Sequence, residues 1–250
     1  MKGVRMSKTV FFTIVSDNYY YEAGTPVLIN SFKRYHPDID LIVFRQDMVD
    51  SIFKEKKINF YMAKPTFAKL LTPFYEKVVN IDCDHIVLGR LEEILKDDYD
   101  IACPTNLNDY ENMELGNITK EKYLQGGLVA STSYSFWDTW EKRNKDAMKY
   151  RCRENDIMNL VIYEDMKDRK LKVLDAKKDY YGCKSLNREK EFYLEGEKVM
   201  CRKEQVLLYH VAKGGVLPKF NWDKLGFPKD VTLWMQGLAY YGKTVRYGAF

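Results

Sequence analysis

No apolar run in this 250-residue chain approaches the roughly 18 residues that a membrane-crossing helix needs. The first candidate, "TVFFTIV" (Thr9–Val15), breaks at once into "SDNYYYE" with no small-residue cleavage site behind it. It therefore reads as a first strand and not as a secretory leader. Cysteine is sparse and unpatterned: Cys83, Cys103, Cys152, Cys183 and Cys201 are odd in number and never spaced as C-x-x-C. Neither a disulfide framework nor a zinc ribbon is expected, and a reducing, cytoplasmic setting follows. Internal repeats and low-complexity segments are also missing, which argues against solenoids and disordered tracts. Nor does charge of one sign dominate, the net value being only +4.

What is present is enough apolar material for one large core, 46% hydrophobic residues against 30% charged, so a single domain over 1–250 is expected. Charge is unevenly placed. Residues 1–139 hold 16 Lys and Arg against 20 Asp and Glu, whereas 140–250 hold 24 against 16. The basic runs Lys142–Arg153 and Lys167–Asp179 are interleaved with acids, which reads as a charged solvent face or as a surface for an acidic partner.

Periodicity predicts a helix placing Leu28, Ile29, Phe32 and Tyr35 on one face and ending at Pro37, then a strand over Asp40–Asp47. A short helix is predicted over Pro65–Lys77, the strand "VVNI" after it, a helical turn at "LEEIL" and a strand at "DIACPT". Further on, "GGLVAST" and "VLLYH" read as strands, "YSFWDTWEKRNKDAM" and "ENDIMNLVIYEDM" as helices, and Val231, Trp234, Met235 and Leu238 as the stripe of a late amphipathic helix. The alternation implies an α/β fold with a mostly parallel sheet. Ligands bind such sheets beyond the carboxyl ends of the strands.

Three Asp-x-Asp triplets occur. Asp38–Asp40 and Asp98–Asp100 lie in polar connections and read as turns. Asp82 and Asp84 instead follow four residues of a buried strand, where a lone carboxylate pair is repelled and poorly hydrated. A hard cation removes that penalty, and residues i and i+2 of an extended chain can both face it. Capping of "LEEIL" is the structural alternative.

The stretch "TFAKLLTPFYEKVVNIDCDHIVLGRLEEIL" resembles the nucleotide-sugar glycosyltransferases of GT-A fold, in the retaining family typified by glycogenin and the lipopolysaccharide galactosyltransferases. The resemblance implies a single Rossmann-like domain, with a donor and metal half at about 1–135 and an acceptor-side half with the C-terminal helix at about 136–250. It implies catalytic roles for Lys69, Glu154, Asn155 and Asp156, the last three matching the family's D-Q-D-x-L-N through "ENDIMN". Asp17, Asn18 and Tyr21 in "TIVSDNYYYEAG" would meet base and ribose, while Gln125 and Gly126 in "LQGGLVAS" stand where the family has Asn and Ala. "HVAKGGVLPK" resembles H-x-x-G-x-x-K-P, which implies His210 as a third metal ligand beside Asp82 and Asp84, with Lys213 or Lys219 on the donor diphosphate. Asp82, Lys69, Gln125 and Gly126 would also line the donor site.

Two carboxylates, an imidazole and diphosphate oxygens suit Mn²⁺ or Mg²⁺. The departures are Asn155 for the family's glutamine, Glu154 for its aspartate, and Lys213 where a glycine is expected. The expected partners are a nucleotide diphosphate sugar and an acceptor hydroxyl on a saccharide, a protein, or a polyanion such as hydroxymethylated DNA. A nucleotidyltransferase is the second reading, disfavoured because "SDNYYYEAG" is no glycine-rich, arginine-bearing triphosphate loop. A non-catalytic nucleic-acid-binding protein is the third, motivated by the basic second half and 19 tyrosines.

Overall fold

The structure, a computed structural model, describes residues 8–16, 19–53, 60–106, 115–150, 153–174, 176, 181–182, 189–211 and 222–240. Strand β1 (Thr9–Val15) leads into helix α1 (Tyr19–Tyr35), β2 (Asp40–Arg45), α2 (Gln46–Ile52) and α3 (Lys64–Leu71). Then come β3 (Lys77–Ile81), β4 (His85–Val87), α4 (Glu92–Leu95), β5 (Ile101–Pro104), β6 (Leu128–Ser131), α5 (Tyr134–Arg143) and α6 (Arg153–Leu160). The remainder forms β7 (Leu171–Leu174), β8 (Tyr181–Gly182), β9 (Phe192–Glu195), β10 (Lys198–Cys201), β11 (Glu204–Gln205), β12 (Leu208–His210) and α7 (Lys229–Tyr240).

Six strands make the central sheet in the order β2-β1-β3-β6-β5-β7. Its pairings are parallel except those of β6, which runs antiparallel to both β3 and β5. Every residue of β1 and of β3 is buried, and the reason is visible in the packing. Val10, Phe12 and Val78 face one side with Phe67 of α3, Phe136, Trp137 and Trp140 of α5, and Ile157 of α6. Phe11, Val79 and Ile81 face the other with Leu28 and Phe32 of α1 and Ile94 of α4. A strand covered on both faces carries apolar residues at both parities, which is why β1 holds Val10, Phe11, Phe12, Ile14 and Val15 with only Thr13 between them.

A smaller sheet, β4-β12-β8, and a third apolar cluster lie beside this core, with Ile86, Tyr209, Phe192 and Val199 packed against Val231, Met235 and Leu238 of α7. The antiparallel sheet β11-β10-β9 joins that cluster.

Several boundaries differ from expectation. Helix α1 starts at Tyr19, well ahead of the Leu28–Tyr35 stripe that marks it in the sequence. Helix α3 stops at Leu71 and not at Lys77, because Pro73 lacks the N–H that would continue the ladder. The strand expected to run to Asp47 yields at Gln46 to α2. The helix expected over 134–148 ends at Arg143, and a run of 3-10 turns follows.

Candidate active site

Antiparallel β6 is what assembles the site. It enters the sheet beside the carboxyl end of β3, so residues 124–127, just before it, arrive where β3 releases Asp82. The Asp82 N–H donates to the Gly127 carbonyl at 2.8 Å, and the Gln125 N–H to the Pro104 carbonyl at the end of β5 at 2.9 Å. From Asp82 the chain turns and returns as β4, which pairs with β12 so that His85 lies opposite His210. Asp82, Cys83 and Asp84 thus form a turn and not an extended triplet, and the two carboxylates take different partners.

Asp82 Oδ1 is 2.8 Å from Lys64 Nζ. Lys64, at the start of α3 and only 3% exposed, also hydrogen-bonds Glu154 and donates to the Gly126 carbonyl at 3.0 Å. Burial lowers the affinity of this amine for its proton, but the charges of Asp82 and Glu154 and their hydrogen bonds outweigh it, and the pKa is raised. Burial pushes the Glu154 carboxyl up to about 7, against the pull of Lys64 and with the help of Asp82. One ammonium therefore serves two acids.

Asp84 Oδ1 lies 3.0 Å from His210 Nε2 and 4.0 Å from His85 Nδ1. The imidazoles of His85 and His210 stack with centroids 4.2 Å apart and planes within 5°. His85 Nδ1 is 2.9 Å from the Asp82 carbonyl, which can only accept, so the proton sits on Nδ1 and Nε2 is left with the lone pair. Burial, then the neighbouring His210, hold His85 well below the usual imidazole range, whereas for His210 burial is overcome by Asp84 and the pKa rises. Among the described residues, Asp84, His85 and His210 have ligand atoms that all lie within 4.8 Å of one another. A Cβ built on Gly127 would lie 3.1 Å from His85 Cε1, 3.4 Å from Asp82 Oδ2 and 3.5 Å from His210 Cε1, so Asp82 borders the same cluster. One carboxylate and two imidazoles, with a second carboxylate adjacent, form a donor set that fits a divalent cation.

Helix α6 is stitched to the segment before β6. Tyr123 donates its hydroxyl to Asp156 Oδ1 at 2.6 Å, and Asn159 both accepts from the Leu124 N–H at 2.8 Å and donates to its carbonyl at 2.9 Å. Asn155 reaches Gly126 and Gln125. The structure thus brings Asp82, Asp84, His210, Gln125, Gly126, Glu154, Asn155 and Asp156 to one end of the sheet.

Lys69 is not part of this gathering. Its ammonium lies 2.7 Å from Asp138 and 2.6 Å from Glu141 on α5, and the lysine that meets Asp82 is Lys64. Helical phase is the reason: Lys64 shares its face with the buried Phe67, Ala68 and Leu71, whereas Lys69 is five residues on and turned away. That i, i+3, i+4, i+7 pattern was the signal for Lys64, and adjacency to Asp84 the signal for His85. Asp17, Asn18, Lys213 and Lys219 lie outside the described residues, as does the side chain of Tyr21, whose backbone belongs to α1.

Among solved structures, the chain is similar to the bifunctional glycosyltransferase WbbM, at 16% identity and TM-score 0.56 over 85% of this chain and 47% of that one. It thus spans less than half of the WbbM chain. It is also similar to the galactosyltransferase LgtC solved with donor and acceptor sugar analogues, at 12% identity and TM-score 0.56 over 94% and 97% of the two chains. A third likeness is to a glycosyltransferase involved in glycosylation of the major capsid of PBCV-1, at 9% identity and TM-score 0.54 over 91% and 99%. The chain has the GT-A fold. No protein-family model and no curated protein matches the sequence. In the GT-A fold the end of the sheet that holds Asp82 and Asp84 is the crevice where open α/β sheets place their ligands.

Proposed function

We propose that this protein is a metal-dependent glycosyltransferase that moves a sugar from a nucleoside diphosphate donor to an acceptor hydroxyl. The observation that carries the reading is the meeting, at the carboxyl end of β3 in a GT-A fold, of an Asp84–His85–His210 cluster with a Lys64–Asp82–Glu154 ion-pair cluster. Asp84, His85 and His210 would hold the cation with Asp82 beside them, and the nitrogen content of the set favours Mn²⁺ over Mg²⁺. When bound, such an ion supplies charge stabilisation for the leaving diphosphate.

The chain's own side chains do the rest. Lys64 holds Asp82 and Glu154 in place and keeps two acids at the donor face from repelling each other. Glu154 presents a carboxyl to the sugar from the first turn of α6. Lys64 replaces Lys69 in this reading. Roles for Asp17, Asn18 and Tyr21 at the nucleoside, for Lys213 or Lys219 at the diphosphate, and retention of configuration are supported by the sequence resemblance.

The test is a screen of nucleotide sugars for hydrolysis with and without Mn²⁺, followed by an array of saccharide, protein and hydroxymethylated-DNA acceptors. Turnover of a nucleotide sugar that stops when the metal is chelated is the expected result. No such turnover, with product formed from a nucleoside triphosphate and a sugar phosphate, would instead establish a nucleotidyltransferase.

A further inference from the structure

Gln125, Gly126 and Asn155, three positions where the sequence departs from the glycosyltransferase pattern, meet in one hydrogen-bonded unit. Asn155 Oδ1 accepts from the Gly126 N–H at 2.9 Å, and Asn155 Nδ2 donates to Gln125 Oε1, also at 2.9 Å. Gln125 Oε1 accepts from the Gly126 N–H as well, at 2.9 Å. A Cβ built on Gly126 would fall 2.5 Å from Asn155 Oδ1, well inside van der Waals contact. The space that an alanine methyl would take is the space the asparagine oxygen uses.

Both ends of the Asn155 amide are therefore committed to the protein. Asn159 also donates to the Asn155 carbonyl at 2.8 Å, which locks that turn of α6. The carbonyl of the tethered residue, Gly126, accepts from Lys64 Nζ at 3.0 Å and from Asn80 Nδ2 at 3.3 Å. A path of direct contacts thus runs from Asn155 through Gly126 to Lys64, and from there to Asp82 and Glu154. Glu154, the preceding residue, keeps Oε2 without a hydrogen bond among the described residues.

We propose that Asn155 is a positioning residue that does not touch the donor sugar. It holds the Gly126 backbone that orients Lys64, and the missing Cβ of Gly126 is what admits it. Glu154 is then the group of this turn that faces the sugar. The inference rests on the glycosyltransferase reading and specifies how that site is held.

A double-mutant cycle on Gly126→Ala and Asn155→Ala tests it, read by melting temperature and by kcat and KM for Mn²⁺-dependent hydrolysis of the nucleotide sugar that the parent protein turns over fastest. Asn155→Ala should lower kcat by about 10- to 100-fold with KM within about twofold, because misplacing a supporting group costs rate more than binding. Gly126→Ala should do at least the same, because its methyl evicts the asparagine oxygen and also crowds Glu154 Oε1 at 3.1 Å, and the double variant should be no worse than Gly126→Ala alone. Asn155→Asp, which keeps an acceptor for the Gly126 N–H but loses the donor to Gln125, should recover only part of the lost kcat. A raised KM with kcat intact in Asn155→Ala would make Asn155 a sugar contact and overturn the proposal. So would independent, multiplying effects of the two substitutions. If the parent hydrolyses no nucleotide sugar, the donor reading fails by itself, and the melting temperatures still decide the Gly126–Asn155 coupling: additive shifts would remove it.

Discussion

Replacing Asp84 by asparagine keeps the size of the side chain and removes the charge that faces His210 at 3.0 Å. The fold should survive, while Mn²⁺ binding measured by calorimetry should weaken by at least about tenfold, since an amide oxygen does not balance a cation. Unchanged Mn²⁺ affinity in that variant would end the assignment of the cluster. Lys64→Met has a different signature. It removes the one ammonium shared by Asp82 and Glu154 and leaves two acids at a buried site, which should cost about 3 kcal/mol of unfolding free energy. A loss under about 1 kcal/mol in urea titrations would show that the two acids are relieved by water instead. Asp82 and Asp84 were legible because buried carboxylates after an apolar strand demand a reason, whereas His210 and the 154–156 turn were reached only through the family resemblance. Lys64 and His85 were missed: α3 carries two lysines that only helical phase separates, and on a three-residue strand His85 is marked by nothing but its adjacency to Asp84. The carboxylates were expected to share one side of an extended chain, but β4 folds back after Asp84, and the intervening turn divides them.

Elements were legible in proportion to their periodicity. Strand β1 matches its prediction residue for residue because seven apolar-leaning positions admit few alternatives. The β9–β11 hairpins left no such mark. Their second turn puts Arg202 and Lys203 at φ of 49° and 68°, a left-handed pair usually signalled by asparagine and glycine. Junctions between elements are similarly hidden, and His36 is one with a measurable consequence. It follows α1, is fully buried, stacks on Phe32, and accepts at Nε2 from the Leu91 N–H at the start of α4, 3.2 Å away. Burial, then the charge of Arg90, lower its pKa from 6.5 to about 4, with Asp38 opposing. The unfolded chain binds this proton between pH 6.5 and 4 and the folded chain does not, so stability is full above 6.5 and drains away as pH falls. By pH 5 the loss should be about 2 kcal/mol relative to pH 7.5. His36→Gln retains an acceptor for Leu91 and cannot titrate, so its urea midpoint should fall less over the same range. Equal falls in parent and variant would place the acid sensitivity elsewhere.

Over the whole molecule, the excess of basic residues after position 139 invites a polyanionic acceptor, and the pairing of four of them, Lys142, Arg143, Lys149 and Lys172, argues against a polyanion at those positions. Lys142 lies 2.6 Å from Asp138, Arg143 lies 2.7 Å from Glu164 and 3.0 Å from Asp165, and Lys149 lies 2.7 Å from Asp146. Lys172 reaches Glu93 at 2.7 Å and Asp98 at 3.2 Å, so it spends its charge on acids of the other half. A phosphate backbone would have to displace each of these carboxylates before it gained a contact. Exposed pairs of this kind contribute about 0–1 kcal/mol each, and their loss has little effect beyond the pair itself. Lys142→Ala, Lys149→Ala and Lys172→Ala should therefore leave both nucleotide-sugar hydrolysis and acceptor KM near parent values at low and at moderate salt. A polyanion acceptor predicts the opposite: KM climbing with salt in the parent, and the log–log slope flattening by about one unit for each phosphate contact removed. Acceptor KM at two ionic strengths for the parent and these three variants separates the cases, and a flattened slope in any of them would return modified DNA to the acceptors worth pursuing.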